Sequence, residues 1–457
     1  MKQALIGIGS GLGAGLLALG LLFLGPLSAS DAGAEDIVAE PSSTPEATLN
    51  SAPEEVIPEE TEPALVQCSV SELEDAPEIL ALQAQVIDAN TGAVLFDRAS
   101  ATPARSASVM KLFTAAAALE TLGPNYRITT RIYQDEIDPG KIYFVGAGDV
   151  TLSRTGVNQS SVYAKAAKLS DLASQVLRAS GEVAITEIVL DSSLYGGAAG
   201  EYQGVWDQRG ITDGYMAPVS ALQVDADRAT PSAKESPRSK DPVSRAGAWL
   251  KEALGDSALG ATVSKGITPA AANQIASVQS RPMSEWIDYM LVVSDNSQAE
   301  ALARLVSLDV GLDGSFSSLT MAFQRALQKT GLDLSDIVVE DGSGLSKYNQ
   351  ISPELVNELL VLVDKGYGDF KLILQGMPVS GTPGSLSYRF DDAVGSITAK
   401  TGWIRTGYTL AGIINSPDES KLIFTVYNLG DVTAANREAM DDLVMGFYEC
   451  GATLVNR

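Results

Sequence analysis

The sequence predicts an α+β fold, and three observations lead to this class. Residues 81–97 alternate apolar and polar side chains around a Gly-containing turn, which is typical of a β-hairpin. Residues 106–122 form an almost wholly apolar segment of helical length, ended by Gly123-Pro124. Residues 397–429 contain three further strand-like runs. At 457 residues, the chain is long enough to bury two or more cores.

The other elements follow from the same patterns. Strands are expected at residues 83–88, 93–97, 127–133, 141–145, 184–190, 397–402, 408–415 and 421–429. Helices are expected at residues 106–122, 162–178, 243–254, 283–293, 299–305 and 436–450. The polar stretch 229–242 is expected to be a loop. The apolar helix at 106–122 should be buried, so a lysine inside it is unusual.

The first 64 residues are expected to lie outside the fold. Residues 1–30 have a lysine at position 2 and then no charged side chain, which is typical of a signal peptide or a membrane anchor. Residues 31–64 contain ten Asp or Glu, no Lys or Arg and no aromatic residue, which predicts a disordered acidic linker. We therefore expect an exported protein that contacts the membrane only through an uncleaved N-terminal segment.

The net charge restricts the kinds of binding partner that are expected, and the predicted export determines how the two cysteines are interpreted. A formal net charge of −25 argues against nucleic acid as a partner. Export places Cys68 and Cys450 in an oxidising compartment, where they can form a disulfide that ties the start of the folded region to its last helix. The alternative is two unrelated buried thiols.

The chain contains no histidine, so a Ser-His-Asp hydrolase is excluded. Ser108 and Lys111 are three residues apart on the predicted buried helix, where such positions share one face. Apolar surroundings lower the pKa of a lysine, which allows it to accept the proton of the serine. The helix N-terminus also favours negative charge that develops nearby. The alternative is a helix-capping serine beside a lysine that reaches solvent.

Two further motifs strengthen the first interpretation. Ser294-Asp295-Asn296 falls between two predicted helices, where a hydroxyl and an amide can move a proton and hold a substrate. Lys400-Thr401-Gly402 lies on a predicted strand and offers a cation, a hydroxyl and a position without a side chain. Taken alone, Ser294-Asp295-Asn296 could instead be a helix cap. Lys400-Thr401-Gly402 could instead lie on an exposed edge strand with a solvated lysine.

The order of these three motifs resembles that of the penicillin-binding proteins and serine β-lactamases. The closer resemblance is to the low-molecular-mass class C D-alanyl-D-alanine carboxypeptidases/endopeptidases, and it covers about residues 80–450. Further segments similar to that family are 146–152, 191–193, 206, 215–222, 377–389 and the turn Asp341-Gly342-Ser343-Gly344-Leu345-Ser346.

The resemblance implies a β-lactamase/DD-peptidase fold, with an antiparallel sheet flanked by helices and a helical subdomain. It also implies a large α/β insertion domain. The catalytic domain would comprise residues 65–124 and 281–457, and the insertion domain residues 125–280.

The resemblance further implies an acyl-enzyme mechanism that acts on peptidoglycan stem peptides outside the bacterial cytoplasmic membrane. Ser108 would be the nucleophile and Lys111 its base. Ser294 would relay a proton to the departing D-alanine, and Asn296 would orient the substrate amide and Lys111. β-Lactams would be covalent inhibitors, and no metal or cofactor is implied.

The remaining site residues would bind the substrate. Lys400 and Thr401 would receive the terminal carboxylate, and Gly402 would let the substrate backbone approach. The N–H groups of Ser108 and Trp403 would form the oxyanion hole. Trp403 departs from the Ser or Thr that the family commonly has at this position.

Two other functions remain open from the sequence. One is a serine β-lactamase or esterase on the same scaffold. The other is a catalytically silent protein that binds the cell wall.

Overall fold

The computed structural model describes residues 67–196 and 201–456, so the predicted signal or anchor (1–30) and linker (31–64) lie outside the described residues. The strands, in chain order, are β1 (Ala81–Asp88), β2 (Val94–Arg98), β3 (Thr129–Gln134), β4 (Lys141–Val145), β5 (Glu187–Asp191), β6 (Thr262–Lys265), β7 (Asn273–Gln279), β8 (Ile397–Ile404), β9 (Gly407–Asn415) and β10 (Lys421–Leu429). The helices are α1 (Ser71–Glu74), α2 (Met110–Thr121), α3 (Leu169–Ser180), α4 (Pro242–Leu254), α5 (Met283–Val293), α6 (Asn296–Asp309), α7 (Leu319–Leu327), α8 (Pro353–Asp364), α9 (Lys371–Gly376) and α10 (Ala434–Cys450). Among the described residues, no helix has the length and apolar character needed to cross a membrane.

The first sheet is antiparallel and has the strand order β2-β1-β10-β9-β8. Successive side chains of a strand point to opposite faces. On β9, Leu410 and Ile414 therefore pack with α10, in what we call the α10 core. Ala411 and Ile413 pack on the other face with α2 and α5 to α9, in what we call the α2 core. Both faces of this sheet are thus covered by helices.

The second sheet is mixed and has the order β6-β5-β4-β3-β7. β4, β5 and β6 are parallel neighbours, whereas β3 runs antiparallel to β4 and β7. Parallel neighbours need a crossover connection, and α3 and α4 provide the two crossovers. Their apolar side chains, such as Leu172 and Leu250, form a separate core with the sheet.

The predicted hairpin and the three C-terminal strands are confirmed, but the helix predicted from residue 162 is wrong at its start. That helix, α3, begins only at Leu169. Lys165 has a φ of 55°, which breaks a right-handed helix. The apolar side chains of Tyr163 and Ala166 instead pack into the α2 core. The sequence patterns also do not reveal β6, β7, α7 or α8, and β6 is exposed along its length.

Cys68 and Cys450 form a disulfide, with a Cα–Cα distance of 5.4 Å and a sequence separation of 382. Cys450 ends α10, and Cys68 packs at the edge of the α10 core. The alternative of two unrelated buried thiols is therefore wrong. The bond joins the beginning of the described chain to its last helix.

Candidate active site

Ser108 and Lys111 lie where α2 begins, with Ser108 half-buried at the edge of the α2 core and Lys111 inside it. Ser108 is in a 3-10 turn over Ala107–Val109, immediately before α2, and Lys111 is in the first turn of that helix. Lys111 is fully buried, and its Nζ lies 2.9 Å from Ser108 Oγ. The predicted pair is therefore in direct contact, and the lysine does not reach solvent.

Lys111 Nζ has two further partners, both of them acceptors. It donates to Asn296 Oδ1 at 2.8 Å and to the carbonyl oxygen of Ser343 at 2.6 Å. A neutral amine has two N–H donors and one lone pair. These two acceptors use the donors, so the lone pair of a neutral Lys111 is left to accept the proton of Ser108.

Burial makes the neutral form of Lys111 more accessible than that of an ordinary lysine. Burial lowers the pKa of Lys111 to about 8, because the ammonium ion loses its hydration. The negative charges of Asp341, Glu300 and Asp295 oppose this effect. The neutral fraction of Lys111 near neutral pH is therefore much larger than that of an ordinary lysine, and it increases as the pH rises.

The Ser294-Asp295-Asn296 turn joins α5 to α6. Ser294 ends α5 in the left-handed conformation, with a φ of 61°. Asp295 caps α6 by accepting from the Gln298 N–H at 2.9 Å, and it forms a buried ion pair with Arg228 at 2.8 Å. Burial raises the pKa of Asp295, but Arg228 and the cap hydrogen bond outweigh this effect and lower it. The motif is thus a helix cap that also presents Ser294 and Asn296 to the site.

Lys400 is buried on β8, so the alternative of an exposed, solvated lysine is wrong. Its Nζ donates to Ser294 Oγ at 3.0 Å and to the carbonyl oxygen of Thr401 at 2.7 Å. Burial lowers the pKa of Lys400 well below its usual range, and the nearby charge of Lys111 adds to the effect. The Thr401 hydroxyl donates to Ser385 Oγ at 2.8 Å.

Two glycines allow backbone to pack on both sides of Ser108. A Cβ atom on Gly402 of β8 would lie 2.9 Å from the Ser108 backbone nitrogen. A Cβ atom on Gly344 would overlap the carbonyl oxygen of Ala107, and Gly344 also has a φ of +86°. Any side chain at these positions would displace the turn that holds the nucleophile.

We expect a Gly344→Ala substitution to lower the free energy of unfolding by about 3 kcal/mol or more and to slow acylation of Ser108. Denaturant unfolding and the rate of labelling by a fluorescent penicillin measure the two effects. Gly331→Ala is the matched control, because Gly331 has a φ of +85° but no neighbouring atom within 4 Å of the place that a Cβ would take. Its expected loss is about 1 kcal/mol. Equal losses in the two variants would contradict the steric explanation.

The site opens into a cavity of about 660 Å³, and Ser108, Ser294 and Asn296 line one part of its wall. Trp403 is 52% exposed and lines the cavity as well, with its ring centroid 6.3 Å from that of Tyr408. Charged side chains from the segment between β5 and α4 form another part of the wall: Asp207, Arg209, Asp213, Arg228, Lys234, Glu235 and Arg238. The cavity is large enough for a peptide segment of a few residues.

The structure brings together Ser108, Lys111 and Asn296 by direct hydrogen bonds, and joins Ser294 to Lys400 in the same way. Thr401, Gly402 and Trp403 follow along β8. Cys68 and Cys450 belong to the α10 core and take no part in this site.

Three residues at the site have no role in the sequence-based prediction. Ser343 and Ser385 lie in segments noted for their family resemblance, but no pattern indicates that they contact Lys111 and Thr401. Arg228 follows Asp225–Asp227, which have φ values of 51°, 46° and 60°. This strained turn delivers Arg228 to Asp295, and nothing in the local sequence signals it.

Comparisons with known proteins identify the family and several relatives of this chain. The model of the D-Ala-D-Ala carboxypeptidase 3 (S13) family matches residues 66–239 and 228–447. Carboxypeptidase DacB of Mycolicibacterium smegmatis is 34% identical over 389 residues, and Carboxypeptidase Rv3627c of Mycobacterium tuberculosis is 33% identical over 389 residues. Each alignment covers 82% of this chain and 82% of the relative.

Among solved structures, penicillin binding protein 4 (dacB) from Haemophilus influenzae matches with a TM-score of 0.71 at 20% identity. The match covers 83% of this chain and 99% of that chain, and it confirms the predicted fold class. The family model spans nearly all of the described residues, and relatives above 30% identity cover most of the sequence. This chain therefore belongs to the D-Ala-D-Ala carboxypeptidase 3 (S13) family.

Proposed function

We propose that this protein is an exported serine DD-peptidase that removes the terminal D-alanine from peptidoglycan stem peptides through an acyl-enzyme on Ser108. The proposal rests on the 2.9 Å contact between Ser108 Oγ and the buried Nζ of Lys111, in a chain without histidine. Family membership and the names of the carboxypeptidase relatives support the reaction class.

Acylation begins when Ser108 Oγ attacks the carbonyl carbon of the penultimate D-alanine and its proton passes to Lys111 Nζ. The N–H groups of Ser108 and Trp403 stabilise the resulting oxyanion. The peptide C–N bond then breaks as Ser294 passes a proton to the departing amine, and Ser294 takes up the proton that Lys111 received from Ser108, so that Lys111 is neutral again. Asn296, which already holds Lys111, orients the substrate amide.

The terminal carboxylate binds at Lys400 and Thr401. Burial lowers the pKa of Lys400, and the negative charge of a bound carboxylate favours its ammonium form. An ammonium group has three N–H donors, and Lys400 uses two of them within the protein. One donor is thus left for the substrate, beside the Thr401 hydroxyl. Water then attacks the Ser108 ester and gives a proton to neutral Lys111, which passes it to Ser108 Oγ as the ester bond breaks and the shortened peptide leaves. The same acyl-enzyme chemistry would cleave a cross-link whose donor carbonyl binds at Ser108.

We also assign a role to each of the other segments of the chain. Residues 1–30 would direct export as a signal peptide or serve as an anchor, and residues 31–64 would be a spacer. Residues 65–124 and 281–457 would form the catalytic domain, and residues 125–280 the insertion domain. The charged cavity wall between β5 and α4 supports a contribution of the insertion to substrate binding.

The test combines a fluorescent penicillin with peptide substrates. We expect the wild-type protein to form a stable covalent adduct and to release D-alanine from a stem pentapeptide, and Ser108→Ala to do neither. An unlabelled wild-type protein would refute the acyl-enzyme. Rapid turnover of the penicillin would favour the β-lactamase or esterase alternative, because a DD-peptidase deacylates slowly from this inhibitor. Cleavage of cross-linked dimers, compared with D-alanine release, measures the endopeptidase share.

A further inference from the structure

Two buried carboxylic acids hold the backbone segment that Lys111 contacts. Glu300 of α6 is 1% exposed, and its Oε1 accepts from the Ser343 N–H at 2.8 Å. Asp341 accepts from the Gly344 N–H at 2.7 Å. That N–H belongs to the same peptide unit as the Ser343 carbonyl, which accepts from Lys111. The acceptor beneath the general base is therefore fixed by carboxyl groups on both sides.

Glu300 is the less constrained of these two acids. Asp341 accepts four hydrogen bonds, from Trp206, Ser346, Asn349 and Gly344. The second oxygen of Glu300, Oε2, has no hydrogen-bond partner among the described residues. Burial raises the pKa of Glu300 to about 7, and the charge of Asp341 adds to this rise. Glu300 thus changes its charge in the pH range in which Lys111 also does.

The charged groups around Lys111 come from three elements. Asp295 faces it from the N-cap of α6, and Glu300 faces it from α6 itself. Asp341 faces it from the loop before α8. Lys400 faces it from β8 as a like charge. The ion pair with Arg228 weakens the effect of the Asp295 charge on Lys111, and the charge of Arg304 partly offsets that of Glu300.

We propose that Glu300 is a positioning residue for the general base, which holds the Ser343 backbone beneath Lys111 and adjusts the proton affinity of Lys111 through its own charge. The inference rests on the proposed function, because it requires that Lys111 be neutral in order to accept the proton of Ser108. The negative charge of Glu300 favours protonated Lys111. Its loss therefore makes neutral Lys111 available at lower pH.

Glu300→Gln separates charge from position. The glutamine oxygen can keep the hydrogen bond from Ser343, and its amide group replaces an oxygen that has no partner to lose. We expect the ascending limb of the acylation rate against pH to shift to lower pH by about half a unit. The limb should also become steeper, because the titration of Lys111 is then no longer coupled to that of Glu300. The plateau rate at high pH should stay within about threefold of the wild type.

The experiment measures acylation by a fluorescent penicillin from pH 5 to 10 in wild type, Glu300→Gln, Glu300→Ala and Glu120→Gln. Glu120→Gln is the matched control, since Glu120 is on α2 with Lys111 but near the other end of the helix, and its profile should not change. Glu300→Ala removes the same charge and also leaves the Ser343 N–H without its acceptor, so its ascending limb should shift as in Glu300→Gln while its plateau rate falls about tenfold. Thermal unfolding shows whether each variant is folded.

The outcomes distinguish this inference from the proposed function. A wild-type protein that is not labelled would refute the proposed function itself. A labelled wild type with an unshifted Glu300→Gln profile would refute only the effect of charge on Lys111. A plateau for Glu300→Ala equal to that of Glu300→Gln would refute the positioning role.

Discussion

Replacement of Lys111 by methionine is expected to slow acylation of Ser108 by at least about 10³-fold. The change removes the lone pair that accepts the Ser108 proton, but it fills a similar apolar volume in the α2 core. Burst labelling with a fluorescent penicillin measures the rate. We expect the residual rate to rise with pH, because hydroxide can then deprotonate Ser108 directly.

Two companion variants make this result specific. Lys111→Arg keeps a positive charge and hydrogen-bond donors but remains protonated, so it should be as slow as the methionine variant. Ser108→Ala should give no label at any pH. A Lys111→Met rate within tenfold of the wild type would mean that another group deprotonates Ser108. Lys400, which contacts Ser294 but has no hydrogen bond to Ser108, would then be the residue to examine.

The second large effect is on stability. We expect replacement of Cys68 and Cys450 by serine to lower the free energy of unfolding by about 2–5 kcal/mol, because the bond closes a very long loop in the unfolded chain. The acylation rate of the folded variant should be close to that of the wild type. The disulfide belongs to the α10 core, whereas Ser108 lies on the other face of the first sheet.

Denaturant unfolding and thermal unfolding under non-reducing conditions measure this loss. Wild-type protein treated with a reductant should match the double variant, and the reductant should not affect the double variant further. Unchanged stability in the double variant would show that the packing of α1 and α10 alone holds the chain ends together.

The residues that the structure brings together at the candidate site could be predicted from local sequence. Ser108 and Lys111 stand out because the chain has no histidine and because a lysine occurs in an apolar helix. The order of Ser294, Asn296 and Lys400 along the chain then indicates that they belong to the same site. These are signals of residue type and spacing, which sequence alone contains.

The residues that adjust this chemistry could not be found in the same way. Glu300 has the usual appearance of a charged residue on a helix, and Ser343 acts through its backbone, which has no sequence signature. Arg228 reaches the site only because three successive residues adopt left-handed conformations. Each of these roles depends on contacts between distant segments. The predicted start of α3 is wrong for a similar reason, because the tertiary packing of Tyr163 overrides a helical pattern in the sequence.

The pairing of β1 with β10 has a consequence for the order in which the protein can fold. Ala81 pairs with Leu429, so the first sheet joins strands from opposite ends of the chain. As the chain is synthesised from its N-terminus, the second sheet has all its strands available long before β10 appears. Pairings between distant segments form slowly. Ser108 therefore gains its contacts with β8 and the rest of the first sheet only near the end of synthesis, and a prematurely terminated chain would hold Ser108 without the candidate site around it.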